Sequence, residues 1–335
     1  MYSGVLRGLG SNDDDTVVYV LSTLRDRVLT PESLVPPGLR SVLFRSVTLD
    51  QLIIISGNHL GGPAAEIAHK ILVMVCTDPC NGLMLDSKAG TNSLKGNPQR
   101  LLGVMKKLKA SEITYHRELL LAIVHGRPLL SSSYLDEFPY NLEPRASPTW
   151  FAAISLVADL VSSAITSNPF SSLVSPSQDP PSLDSLEVQC MLKCIVPRAF
   201  SRMVINRGLL HSDSLVKHGS LRLLLEALKS LARLLDAIDR ASSSRTLQRW
   251  VSLKQEFQHE TRALLPDPQV LLKLLSSLTS IHSKASKTSL KRARKSEDLP
   301  DVYHRDKVKK LKSDTVNGDF DIIISGISTD SDMLY

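Results

Sequence analysis

The sequence predicts an all-α fold, either a bundle or, as a weakly recurring unit favours, a stack of helical hairpins. Three observations lead there. Apolar residues recur at i, i+3, i+4 and i+7 over long stretches of the chain, a period that gathers them on one helical face. Little alternates with the period of two that a half-buried strand needs. The periodic stretches are bounded by Pro, Gly, Asn, Asp or Ser and joined by short polar turns, as antiparallel helix neighbours are.

In chain order, TVVYVLSTLRDRVL (16–29) is the first such stretch, set between an aspartate run and Pro31. The segment RSVLFRSVTLD leads into QLIIIS (51–56), the one strong strand-like run, which reads as easily as part of a buried helix. AAEIAHKILVMVC (64–76) follows Gly61, Gly62 and Pro63, residues that break one helix and open the next. NPQRLLGVMKKLK (97–109), SEITYHRELLLAIV (111–124) and TWFAAISLVADLVSSAI (149–165) repeat the pattern, as does DPQVLLKLLSSLTSI (267–281). Helices recur with small-residue or basic openings followed by L-x-x-L steps, though no fixed period can be read off.

The longest helix is SLRLLLEALKSLARLLDAI (220–238). Its pattern assigns Leu221, Leu224, Leu225, Leu228, Leu231, Leu234, Leu235 and Ile238 to a core face. Arg222, Glu226, Lys229, Arg233 and Asp236 fall on a wet one, with Arg222 and Glu226 four apart. Just upstream stand His211, Ser212, Asp213, Ser214 and His218. Ser and Asp accept hydrogen bonds from free N–H groups at a helix start, and Gly208 suits a left-handed end to the preceding helix. A Ser-His-Asp hydrolase would need an exposed serine and an oxyanion hole, and no G-x-S-x-G string occurs. The cluster therefore reads as a helix cap.

Two stretches break the helical pattern. Residues 166–185, rich in Ser and Pro, read as a long loop within a helical domain of residues 1–282. Residues 283–335 are poor in leucine and rich in charge, and read as a disordered tail, basic then acidic. In it KRARK (Lys291, Arg292, Arg294, Lys295) and KVKKLK (Lys307, Lys309, Lys310, Lys312) have the spacing of a two-part nuclear import signal. From Lys284 to Lys312 eleven Lys or Arg stand against Glu297, Asp298, Asp301 and Asp306. A flexible cationic stretch of this kind also gains affinity for RNA by counterion release.

Composition narrows the class. The 335 residues are 42% hydrophobic, enough for a sizeable core, and the net charge is +6. The N-terminus lacks a basic segment followed by an apolar one, and no apolar run approaches the ~18 residues of a membrane span. Four cysteines are too few for a disulfide scaffold of this length, which fits a reducing, intracellular setting. Cys76 with Cys80 and Cys190 with Cys194 are C-x3-C pairs, but structural zinc favours C-x2-C, so core cysteines are expected and no metal or other cofactor. His69 and His116 sit on apolar helices and read as structural. No Walker A, G-x-G-x-x-G or H-E-x-x-H string is present, so neither catalysis nor a small-molecule substrate is expected.

Two groups of residues are candidates for partner contact. Arg198, Arg202, Arg207 and Lys217 lie close together in sequence and could meet RNA backbone. Phe138 and Tyr140, in YLDEFPYNLEP (134–144), are either plugs of a loop folded on the core or a docking strip for a protein.

The strings CIVPRAFSRMVINRGLLHSDSLVKHGSLRLLLEALKSL, GLRSVLFRSVTLDQL, AHKILVMVCTDPCNGL, NPQRLLGVMKKLKASEITYHRELLLAIVHGRP and YLDEFPYNLEP carry a resemblance. Over residues 1–281 the chain resembles the amino-terminal region of the nucleolar pre-ribosomal-associated proteins of 60S subunit assembly, in plant-like wording. The resemblance implies an armadillo or HEAT type array and a scaffold in early pre-60S particles. Its implied partners are assembly factors, including an RNA helicase module, and pre-ribosomal RNA, with no membrane. It also implies longer flanks in the family, so a fragment or short form is expected here. A nuclear transport or cargo adaptor with an armadillo-like fold is the alternative.

Overall fold

The computed structural model of the protein describes residues 6–30, 35–58, 61–78, 83, 97–166, 192–242 and 247–277. The chain divides into two units, Met1–Ser280 and Ile281–Tyr335, and the described residues all lie in the first. Among the described residues there are helices and no strand, so the fold is all-α. After a 3-10 turn at Leu9–Ser11 come α1 (Asp14–Val28), α2 (Pro37–Leu43), α3 (Ser46–Ser56), α4 (Pro63–Thr77), α5 (Asn97–Lys107) and α6 (Thr114–Gly126). They are followed by α7 (Leu129–Asp136), α8 (Pro148–Thr166), α9 (Arg202–Leu209), α10 (Ser214–Ser242) and α11 (Leu247–Leu264), with a further helical stretch at 268–277.

The helices stack in two layers. In one, α4 packs on α1, α6 on α4, α8 on α6, α10 on α8, and α11 on α10. In the other, α3 meets the opening 3-10 turn and α5, and α5 meets α7. The layers are joined by α3 against α4 and α6, by α7 against α6 and α8, and by α9 against α10. From α3 to α8 alternate helices share a layer, which is how helical hairpins stack, each burying its apolar stripe on its neighbours. One continuous core results, running from Leu21 and Leu24 through Ile71, Leu72, Leu120 and Ile123 to Leu156, Leu160 and Leu223.

Local chemistry sets the helix ends. Asp13 accepts from the Thr16 amide at 2.9 Å and so caps α1, which places Asp14 and Asp15 in its first turn and Arg25 and Arg27 in its last, each sign matched to the helix dipole. Before α4 the chain turns through Gly61 and Gly62 at φ 63° and 117°, conformations costly for residues with a Cβ, and Pro63 then opens the helix. QLIIIS lies inside α3. Its neighbours bury Leu52, Ile53 and Ile55 on different sides while Ile54 stays 62% exposed, so β-branched residues tolerated on a multiply covered helix had mimicked a strand.

The structure departs from the sequence reading in five places. On α10 the buried stripe is Val216, Ser220, Leu223, Leu224, Ala227, Ser230 and Leu234, whereas Leu221, Leu225 and Leu228 are exposed. The reason is that α8 approaches closely over small side chains: Ser230 Oγ donates to the Val161 carbonyl at 3.3 Å. Gly208 is not a left-handed terminus. It lies within α9, where an added Cβ would fall 2.8 Å from Ser220 Cβ, so its role is to let α9 and α10 cross. Thr166, expected to open the Ser/Pro loop, closes α8, and the rest of that loop lies outside the described residues. YLDEFPYNLEP, read as a loop, begins in α7. Finally, α11 was not expected, because its sequence carries charged and polar residues nearly all round.

Two helical histidines, His116 and His69, hold the stack together. His116 is buried and accepts from the Lys109 amide through Nδ1 at 3.0 Å, so its proton sits on Nε2, which donates to the Ile53 carbonyl at 3.1 Å. A Cβ on Gly57 would come within 3.1 Å of that ring. His69 on α4 stacks on Tyr115 of α6 with centroids 4.7 Å apart, and its Nε2 lies 3.2 Å from Glu118 Oε2. Burial holds its imidazole below the ordinary value of 6.5, only partly opposed by the Glu118 carboxylate.

Two outcomes follow. Gly208→Ala is expected to lower the stability measured by urea unfolding by about 1–3 kcal/mol, the usual cost of overpacking a tight crossing. For His69, the unfolded chain takes up a proton near pH 6.5 while the folded chain resists it, so His69's contribution is complete above that pH. It is lost as pH falls below 6.5 through the lower folded value. Melting temperatures measured between neutral pH and pH 5 should drop less steeply in His69→Phe, which keeps the stacking ring and removes the titration.

Candidate protein and RNA interface

The cluster at the start of α10 is built as a cap. Asp213 Oδ1 accepts from the amides of Leu215 and Val216 at 2.7 and 3.3 Å, and the Asp213 amide donates to His211 Nδ1 at 3.0 Å. These bonds satisfy donors that a helix start leaves open. The carboxylate and the imidazole nitrogen that a triad would need are thereby occupied by backbone. Ser212 and Ser214 are exposed, with no base aligned on either hydroxyl among the described residues.

Of the four basic residues proposed for RNA contact, the structure engages two. Arg202 pairs with Asp267, which also accepts from Asn206 Nδ2 at 3.0 Å, tying α9 to the chain ahead of 268–277. Arg207 pairs with Glu143 at 3.1 Å, tying α9 to the segment before α8. Arg198 is exposed and Lys217 half-buried, and neither shows an ion pair among the described residues. The four therefore do not form one free cationic patch.

The aromatic strip is anchored at both ends. Tyr134 is fully buried, Phe138 meets it edge to face at 6.0 Å, and Tyr140 meets Phe138 at 5.3 Å. Phe138 and Tyr140 are half-buried against the core. Burial raises the Tyr134 hydroxyl well above the ordinary tyrosine range. Leu142 follows as a buried residue, and its carbonyl accepts from Trp150 Nε1 at 3.1 Å. What remains accessible is a row of carboxylates, Asp136, Glu137 and Glu143, paired with Lys193, Lys106 and Arg207.

Sequence reasoning missed a charged ladder across the layer of α6, α8 and α10. Arg117 donates to Asp159 Oδ2 at 2.5 and 3.1 Å and to Ser155 Oγ at 2.9 Å, and Arg222 lies 3.6 Å from Asp159 Oδ1. The signal was present: Asp159 is the one charged residue in TWFAAISLVADLVSSAI. A lone carboxylate in an otherwise apolar helix marks the stripe that faces water or a counter-charge.

Cys76 is fully buried, and that burial pushes its thiol up to about 12, which leaves it unreactive at neutral pH. Cys194 is also buried, with its Sγ 3.5 Å from the Pro128 carbonyl. Cys80 and Cys190 lie outside the described residues, as do all eight tail residues Lys291, Arg292, Arg294, Lys295, Lys307, Lys309, Lys310 and Lys312. Among the described residues no group of His, Cys, Asp and Glu could hold a metal ion, and no helix is long and apolar enough to cross a membrane.

No curated protein and no solved structure matches the chain. Residues 1–153 match the family model Npa1, ribosome 60S biogenesis N-terminal, a span that takes in the stack from its opening turn to the first residues of α8. The match ends well before Ile281, so the strings from α9 and α10 lie beyond it. The resemblance carried by the sequence strings is thus met over residues 1–153, where the chain is similar to the ribosome 60S biogenesis N-terminal family.

Proposed function

We propose that the chain is a non-catalytic scaffold in nucleolar assembly of the large (60S) ribosomal subunit, organising early pre-ribosomal particles by holding protein factors and ribosomal RNA. The observation that carries this reading is the match of residues 1–153 to a ribosome 60S biogenesis family. The architecture supports it, since a two-layered stack presents long faces for partners. The one cluster that resembled hydrolytic machinery is consumed in capping α10.

Partners on this reading are other pre-60S assembly factors, an RNA helicase module among them, together with pre-ribosomal RNA. Of the four basic candidates, Arg198 and Lys217 show no ion pair among the described residues and are the ones offered to phosphate, and Phe138 and Tyr140 stay candidates for a protein contact at their accessible edges. The tail from Lys291 to Lys312 supplies nuclear import and a sequence-blind grip on RNA, whose strength falls as salt rises.

Gradient sedimentation of the tagged chain from lysate tests the proposal. Migration with large pre-ribosomal particles that collapses on ribonuclease treatment is the expected result. A small free protein in both gradients, or a complex indifferent to ribonuclease as a transport adaptor would form, counts against it. Alanine at Lys291, Arg292, Arg294 and Lys295 together is expected to shift the chain from nucleus to cytoplasm, read by fluorescence microscopy.

A further inference from the structure

We propose that a cleft between α8 and α10 is a docking site for an acidic peptide segment of a partner protein, which inserts one bulky apolar side chain and sets a neighbouring carboxylate on Arg222. The cleft has a volume of about 230 Å³ and is lined by Phe151, Ile154, Ser155, Leu215, His218, Gly219 and Arg222. Its size is below the ~300–1,000 Å³ typical of small-molecule sites but suits a single leucine or phenylalanine side chain.

The floor is apolar because of Gly219. A Cβ there would come within 3.1 Å of Trp150 Cζ3 and 3.6 Å of Ile154 Cγ2, so the bare backbone brings α10 down onto the buried face of α8. Phe151 is held edge to face against Trp150 at 5.2 Å and forms one wall. Leu215 forms the other and is 63% exposed, an apolar side chain left in water in the first turn of a capped helix.

The rim is positive. Asp159 is shared by two guanidiniums, and Arg117 holds it more closely, at 2.5 Å against 3.6 Å for Arg222. One carboxylate therefore stands against two cations, with the exposed His218 beside them. One turn along α10 the charges cancel locally, Lys229 pairing with Glu226 at 2.9 Å. An apolar pit under a single excess cation is complementary to an anchor residue with an acidic neighbour, the pattern of peptide recognition in grooves between helices. RNA fits less well, since backbone binding gathers several cations along a track and this lining is mostly apolar.

Selection from a random peptide display library on the intact chain, followed by fluorescence anisotropy with the most enriched labelled peptide, tests the proposal. Enriched peptides should combine a bulky apolar residue with Asp or Glu within one helical turn. Affinity should fall at least tenfold in Arg222→Gln and in Leu215→Asp, both exposed positions whose variants should keep the wild-type helical circular dichroism. Arg233→Gln, elsewhere on α10, should bind as wild type. The proposal is overturned if no peptide is enriched, if the enriched peptides are basic or lack an apolar anchor, if Arg222→Gln binds unchanged, or if polyuridylate displaces the peptide at physiological salt.

Discussion

Burial of α8 is the constraint on which the remaining packing depends. It lies between α6 and α10 within its layer and is backed by α7 from the other, so Trp150, Ile154, Leu156, Val157, Leu160, Val161 and Ala164 are all out of water on different sides. Burying a large side chain of this kind contributes roughly 1.5–3 kcal/mol relative to leaving it exposed, which makes one such helix comparable in effect to the net stability of a whole domain. The stripe of Phe151, Ser155 and Asp159 stays half-exposed. Trp150 adds orientation to burial: its indole N–H reaches the Leu142 carbonyl, which fixes the segment entering α8, and its ring edge sets how near α10 can come.

Close approach between helices is secured by absent or small side chains more than by large ones. Gly219 faces Trp150, Gly208 faces Ser220, Gly57 faces His116, and Ser230 reaches across to a carbonyl of α8. At each place the small residue makes room for a neighbour that a larger side chain would displace. The same crowding displaces the leucines of α10. Leu221, Leu225 and Leu228 would fit a symmetric amphipathic helix, but the arc that α8 and α9 cover is filled by Val216, Ser220, Leu223, Ala227 and Leu234.

Charge is used across the layers in two ways. Arg202, Arg207 and Arg117 are tied into pairs that fasten one helix to the next segment, and such half-exposed pairs contribute modest energy but definite geometry. Arg222 is held at longer range and borders an open cleft. Basic residues that look alike in the sequence therefore separate into fastening and presenting roles only when their partners, which lie up to 65 positions away, are in place.

The amino-acid sequence alone determined the helical class, most helix positions, the capping role of Asp213 and the structural role of His116. These depend on period, on residue type at helix ends and on apolar surroundings, all of which are local. It also carried, in several long strings, the likeness to a ribosome 60S biogenesis family that the match over residues 1–153 bears out. Tertiary structure decided which side of α10 is buried, why Gly208 is a glycine, that Arg202 and Arg207 are engaged, and that Asp159 joins α6 to α10. It decided as well that a cleft lies over Gly219. Each of these depends on which helices meet and at what separation, and a one-dimensional pattern cannot specify the distance between residues brought together only by stacking.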